Sequence, residues 1–232
     1  MGSTAHHNSG NRNMKTTYDP RFVPAHDKNI HGQALLMNEA PGPDEAASGI
    51  PLYGQQGANL FHAVRTAGIT WAVDHAKFIW PKNDSIVHDG RQLEKKSFLA
   101  TRSQYITCTN SYPYWPQPSN NANPFCPPCK DDVCGQANIE RIKMEIEPSH
   151  SVLLICGRYA YLVCTGDDLA HPAEREFEEL TKQEIDVANR RLNSHFKKGW
   201  YMGHTRRWSL NRQKSSSSLR ELAKYLDWPL SD

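Results

Sequence analysis

The chain has 232 residues, a formal net charge of +2 and a mean hydropathy of -0.70. That length suits one moderately large domain, and although only 38% of its residues are hydrophobic, six Trp, nine Tyr and seven Phe supply large surfaces to bury. No apolar run approaches the ~18 residues of a membrane span and the N-terminus MGSTAHHNSGNRNMKTTYDP has no signal-peptide core, so the expectation is a cytoplasmic chain with no membrane partner.

Residues 1–30 are polar and read as a flexible segment ahead of a single domain over 31–232. Gln33–Met37 is a short apolar run that reads as a buried strand, and NEAPGPDEAASGIPLYGQQG after it packs glycine, proline and acids into a loop. GANLFHAVRTAGI places Leu60, Phe61, Val64 and Ala67 at helical spacing, with Gly68 as a cap. SQYITCTN is a second strand, entering the long loop SYPYWPQPSNNANPFCPPCKDDVC. NIERIKMEIE is a helix with Ile139, Ile142 and Ile146 on one face, stopped by Pro148. SVLLICG is a third strand and RYAYLVC starts another helix. The Glu-rich PAEREFEELTKQEIDVANRRLNSHF reads as an exposed helical excursion. GWYMGH is a fourth strand ending at His204, and SSSSLRELAKYL is a final helix that its serines can cap.

Strands separated by helices imply the α/β class: a central, mainly parallel four-stranded sheet in a three-layer α/β/α sandwich. Ligands of such sheets sit at the carboxyl ends of the strands. The Asn38/Glu39 loop, Asn110, the CGRYA turn and His204 all fall at such ends, so four distant elements are expected to meet at one crevice.

The small net charge hides an uneven distribution. From Val187 to Arg220 there are nine Lys/Arg and no Asp/Glu, with Trp200, Tyr201 and Trp208 interleaved. Cations beside aromatic faces suit phosphates and unstacked bases, which makes nucleic acid the expected partner. Of the six cysteines, Cys126, Cys129 and Cys134 crowd into CPPCKDDVC, a spacing that suits a tetrahedral metal site with its fourth ligand open between Cys108 and a histidine. Cys156 and Cys164 sit in apolar company and read as core.

NEAPGPDEAASGIPLYGQQGANLF resembles the first motif of the uracil-DNA glycosylase superfamily, nearest the thermophile-type iron–sulfur branch, whose pattern runs G-E-A-P-G, then E, then G-x-P-F-x-G-x-x-G. Glu39, Ala40, Pro41, Gly42, Glu45, Gly49, Pro51, Gly54 and Gly57 fall at matching spacings. YITCTNSYP resembles the strand that carries the family's base-binding Asn, here Asn110. VLLICGRYAY is similar to its apolar strand with the following Gly and Ala, and GWYMGHTRRWSLN to the segment with its catalytic His, here His204. The similarity runs in family order over about residues 33–226.

The resemblance implies a monofunctional DNA glycosylase, a hydrolase that flips a base from DNA and leaves an abasic site, with no cofactor needed for the chemistry and no obligatory protein partner. His204 becomes the donor to the departing base, and Glu39 the group that orients water or faces the cationic sugar. Asn110 would read the base edge, with Asn38 and Leu52 beside it, while Pro41 and Gly42 bring backbone close to the DNA.

The departures from the pattern carry their own expectations. Ala40 stands where other branches have a water-activating Asp, which leaves Glu39. Leu52 stands where an aromatic stacks on the flipped base. Arg206, Arg207 and Trp208 follow His204 in place of Pro and Ser, putting two cations and a wedge-sized ring at the DNA. Together they point to uracil or to a bulkier modified pyrimidine, such as a hypermodified phage base attacked in antiviral defence rather than repair. The alternative is a non-catalytic relative that binds a flipped base. The branch's [4Fe–4S] cluster uses an N-terminal C-x-x-C that this chain lacks. Tyr114 stands near its third ligand and Cys134 at its fourth, so a structural zinc is expected before a cluster.

Overall fold

In the computed structural model, which describes residues 17–25, 33–73, 89–117, 127–169, 172–208 and 212–231, the apolar runs become strands of one sheet. In chain order the elements are β1 (Thr17–Phe22), β2 (Ala34–Asn38), α1 (Pro43–Ser48), α2 (Gln55–Thr66), α3 (Thr70–Val73), α4 (Asp89–Ser103), β3 (Ile106–Asn110), β4 (Tyr114–Gln117), α5 (Lys130–Cys134), α6 (Gln136–Glu145), β5 (Val152–Ile155), α7 (Arg158–Thr165), β6 (Glu178–Glu179), α8 (Lys182–Leu192), β7 (Lys198–Tyr201), a 3-10 turn (Thr205–Arg207) and α9 (Arg212–Tyr225).

The sheet has five strands in the order β3-β2-β5-β7-β6, not the four expected from sequence. β3, β2, β5 and β7 are parallel, and β6 pairs antiparallel with β7 at the edge. Every residue of β2, β3 and β5 is buried because helices cover both faces, which favours apolar residues there, although Asn38, Thr107, Thr109 and Asn110 are buried too. Alternation sorts the side chains. Leu36, Cys108, Leu154 and Trp200 pack with α2, α4 and α9, while Leu35, Met37, Leu153, Ile155 and Tyr201 pack with α6, α7 and α8. At Gly199 a Cβ would come 2.7 Å from the Leu153 carbonyl oxygen, so the β5/β7 contact requires glycine there.

Several expectations are corrected by this packing. The Glu-rich excursion is helical only over Lys182–Leu192, where a Thr181/Glu184 capping box starts the helix and Ile185, Ala188 and Leu192 are buried; its front end supplies β6. Ser215, Ser216 and Ser218 lie buried inside α9 rather than capping it. Within the segment read as flexible, Thr17–Phe22 forms β1, paired with β4 from the long loop. Residues 1–16 and 26–32 lie outside the described residues, as do 118–126 of that loop.

The basic run does not form one aromatic-lined groove. Trp200, Tyr201 and Trp208 are core side chains, and Trp208, read as a DNA wedge, is 1% exposed with its Nε1–H donating to the Met202 carbonyl at 2.8 Å. The bulk of an indole makes it cheaper to bury than to leave in water, which wins over a surface role. Among the cations, Lys198 pairs with Glu179 and Arg207 with Glu176, each at 3.1 Å, while Arg191 and Arg220 donate to the Val163 and Ala67 carbonyls.

Behind β3, His150 is buried with Nδ1 accepting from the Glu147 N–H at 3.0 Å and Nε2 2.9 Å from the Thr107 hydroxyl. Burial pushes its pKa down from 6.5 to about 4. A base whose folded pKa is depressed contributes stability above its unfolded pKa and loses it as pH falls toward the folded value. Urea-unfolding midpoints should therefore drop between pH 6.5 and about 4, by up to about 3 kcal/mol in stability, and His150→Gln should remove that part of the slope.

Candidate active site

The chain reverses its direction across the sheet at β2 and β5. β2 leads to β3 on one side and β5 leads to β7 on the other, so the segments leaving the carboxyl ends of these neighbours diverge, the position at which open α/β sheets bind ligands. Glu39 is the first residue after β2. Its side chain occupies space that a side chain on Gly157, just after β5, would fill: a Cβ there would lie 2.3 Å from Glu39 Cγ, and Gly157 has φ +103. Glu39 Oε1 accepts from the Tyr159 N–H at 3.2 Å, in the first turn of α7, where unpaired N–H groups and the helix dipole favour an anion. The Tyr159 phenol is pushed up by burial and by the nearby Glu39. On its other side, Glu39 Oε2 lies 3.6 Å from His204 Nε2, with both side chains partly open to solvent. β7 ends at Tyr201 rather than at His204, and Gly203, at φ +65, turns the backbone between them.

Asn38 and Asn110 end β2 and β3 as directly paired residues, so their side chains share one face of the sheet. Asn38 Nδ2 donates to Gln56 Oε1 at 2.6 Å, and the same oxygen accepts from the Thr205 hydroxyl at 2.9 Å. Asn59 Nδ2 donates to the Thr205 carbonyl at 3.0 Å. In this way α2 ties the end of β2 to the residue after His204. Asn110 is 1% exposed, and neither atom of its amide has a partner; Asn38 Oδ1 is equally unpartnered. Buried amides are nearly always hydrogen-bonded, so three such atoms at strand ends mark a place shaped for something else.

The backbone beneath Asn110 is held from behind by α6. Arg141 Nη2 donates to the Asn110 carbonyl at 2.8 Å, and Asn138 Nδ2 to the Ser111 carbonyl at 2.7 Å. Arg141 Nη1 pairs with Glu145 at 2.6 Å, and Glu145 also accepts from the Thr109 hydroxyl at 2.5 Å. Burial lowers the Arg141 pKa and Glu145 opposes that shift. On the other side the Ser111 N–H reaches the Asn38 carbonyl at 2.7 Å and the Tyr112 N–H the Glu39 carbonyl at 3.0 Å.

The Gly/Pro loop is stapled by its own acid. Glu45 is buried and accepts from the Gly42 N–H at 3.0 Å and the Gly54 N–H at 3.3 Å, and burial raises its pKa. Pro41 is buried and Gly42 partly exposed beside it. Leu52 corrects a sequence expectation: it is wholly buried in the α2/α4/α9 core and presents no wall to a ligand. Its left-handed φ of 55 turns the side chain inward, and Arg102 holds the turn by donating to the Pro51 carbonyl at 3.2 Å. A cavity of about 360 Å³ lies beyond Thr205, lined by Gln55, Asn59, His62 and Thr66 of α2; Glu39, Asn110 and His204 do not line it.

Of the expected DNA-binding cations, Arg207 is half-exposed and held by Glu176, while the side chain of Arg206 lies outside the described residues. In the cysteine loop, Cys129 and Cys134 bracket α5, and Cys126 lies outside the described residues. Cys108 is excluded as their fourth ligand. It is buried on the α2 face of the sheet, whereas α5 packs on α6 and α7 across it. Among the described residues no group of three or more His, Cys, Asp or Glu is arranged to hold a metal ion. Tyr18 pins the described part of the loop: its hydroxyl donates to Asp132 at 2.7 Å and accepts from the Cys129 N–H at 2.8 Å.

Glu39 thus lies 3.6 Å from His204, and Asn38 pairs with Asn110 at the adjoining strand ends, whereas Leu52 and Trp208 are core side chains. Gln56, Thr205, Arg141 and the Tyr159 N–H were missed. Only the Arg141/Glu145 spacing on one helix offered a sequence signal. No family model and no curated protein matches this chain. Gly157→Ala should displace the Glu39 carboxylate, because both the positive φ and the 2.3 Å approach forbid a methyl group. The fold should survive with a stability loss of about 1–3 kcal/mol in urea melts, and the His204 ring resonances should shift in NMR spectra as its carboxylate neighbour moves.

Proposed function

We propose that this chain is a monofunctional DNA glycosylase of the uracil-DNA glycosylase type, acting on uracil or a modified pyrimidine flipped out of DNA. The observation that carries this reading is the buried, unpartnered Asn110 amide set beside the Glu39/His204 pair at the carboxyl ends of parallel strands. A flipped base needs a preformed donor and acceptor to be recognised, and the chemistry needs two more groups.

As the C1′–N1 bond breaks, its electron pair leaves with the base and positive charge grows on the sugar. His204 donates a hydrogen bond to the carbonyl oxygen of the departing base, stabilising that negative charge. Glu39, anchored by the Tyr159 N–H, faces the cationic sugar and accepts the proton of the water whose oxygen bonds to C1′. The released base takes up a proton, so the sum is hydrolysis. Gly42, Arg206 and Arg207 are the proposed DNA contacts, with the buried Pro41 next to Gly42 and Arg207 exchanging Glu176 for phosphate. A hypermodified phage base, and so a role in antiviral defence, accords with Arg206 and Arg207 following His204 in place of Pro and Ser.

The test is release of abasic sites from oligonucleotides with single modified bases, read by strand nicking. Glu39→Gln and His204→Ala should each slow release by about 10²–10⁴-fold while leaving DNA affinity within a few-fold. Wild type that shifts DNA in gels yet leaves no abasic site on any base would favour the non-catalytic binding relative.

For the cysteine loop we propose a structural zinc on Cys126, Cys129 and Cys134, closed by a fourth ligand other than Cys108. Elemental mass spectrometry should find about one zinc per purified chain. A brown protein absorbing in the visible would replace zinc by an iron–sulfur cluster, and a colourless, metal-free chain would reject both.

A further inference from the structure

Taking the site as a base pocket, as proposed above, we infer that it reads a base edge with an exocyclic amino group next to a ring nitrogen, as on cytosine and its 5-substituted forms, in preference to the oxo edge of uracil, and that Asn38 makes the distinction. Three side-chain atoms at the ends of β2 and β3 are buried without a partner: Asn38 Oδ1, Asn110 Oδ1 and Asn110 Nδ2. In-register pairing puts the two amides on one face of the sheet. Asn110 alone suits either edge, because an amide can turn over to offer donor and acceptor in either order.

Asn38 can turn over only together with Gln56. Its Nδ2 donates at 2.6 Å to Gln56 Oε1, which also accepts from the Thr205 hydroxyl at 2.9 Å. Rotating Asn38 alone would set oxygen against oxygen, so a flip has to carry the Gln56 amide with it. In this arrangement Asn38 Oδ1 is an acceptor, 2% exposed and without a partner.

The inventory of the site is then two acceptors and one donor group. The Watson–Crick edge of uracil offers a single N–H between two carbonyl oxygens, which leaves one buried acceptor unpaired. The amino group of cytosine brings two N–H bonds, one for each acceptor, and its ring nitrogen accepts from Asn110 Nδ2. An acceptor left unpaired in a buried site lowers affinity by about tenfold to a hundredfold. Adenine has the same edge on a larger ring, so it separates edge from ring size.

The experiment titrates the full chain with free cytosine, 5-hydroxymethylcytosine, adenine and uracil by NMR, in wild type, Asn38→Leu and Gln56→Leu. Cytosine should bind at least about tenfold tighter than uracil in wild type, with the ratio falling toward one in both variants. If Asn38→Leu does not fold, Gln56→Leu still frees the Asn38 amide to rotate and carries the test. Adenine binding like cytosine assigns the preference to the edge alone, and weak adenine binding adds a limit on ring size; both outcomes support the inference. Uracil binding as tightly as cytosine, a ratio unchanged in folded variants, or no binding of any base in the millimolar range overturns it. Oligonucleotide excision keeps the two proposals apart. Uracil release without release of a cytosine-type base sinks the edge inference and leaves the glycosylase, whereas the expected order of base binding with no abasic sites does the reverse.

Discussion

The close approach of Glu39 to Gly157 is the contact on which the site depends. Two neighbouring parallel strands send their following segments in opposite directions, and the carboxylate fits between them only because the residue after Cys156 has no side chain. The same turn points the Tyr159 N–H, in the first turn of α7, at the carboxylate. An anion that would be costly in the crevice is thereby solvated by backbone, and His204 is left within reach on its open side.

The asparagines are arranged by a different principle. Their backbones are overdetermined, Asn110 by Arg141 and by the adjoining ladder, Asn38 by the sheet itself, while most of their amide atoms are left without partners. Unpaired buried polar atoms cost stability, and the network of Thr109, Glu145, Arg141 and Asn138 keeps the strand end from collapsing to satisfy them. A site stiffened in this way meets its ligand with little reorganisation. The Glu45 staple does the same for the Gly/Pro loop, converting a segment rich in flexible residues into a rigid one.

ALLMN and VLLI were legible as the apolar runs that enclosure on both faces favours, and ITCTN through its β-branched Ile and Thr. Elements whose stability comes from distant partners were not. β1 and β4 lie almost a hundred residues apart and each is unremarkable in composition, and β6 is two exposed glutamates that pair only because β7 offers an edge. The aromatic residues of the basic run misled for a similar reason, since an indole beside arginines in sequence says nothing of which side of the backbone it takes.

By itself the sequence determined the order of the four parallel strands along the chain and the placement of Glu39 and Asn110 at strand ends, because these follow from hydrophobic patterning and strand propensity. Only the tertiary structure decided that Leu52 and Trp208 belong to the core, that Cys108 lies across the sheet from Cys129 and Cys134, and that Gln56 pairs with Asn38. Those outcomes turn on which face a side chain takes and what packs against it. That is settled by long-range burial and hydrogen bonding, which local sequence does not encode.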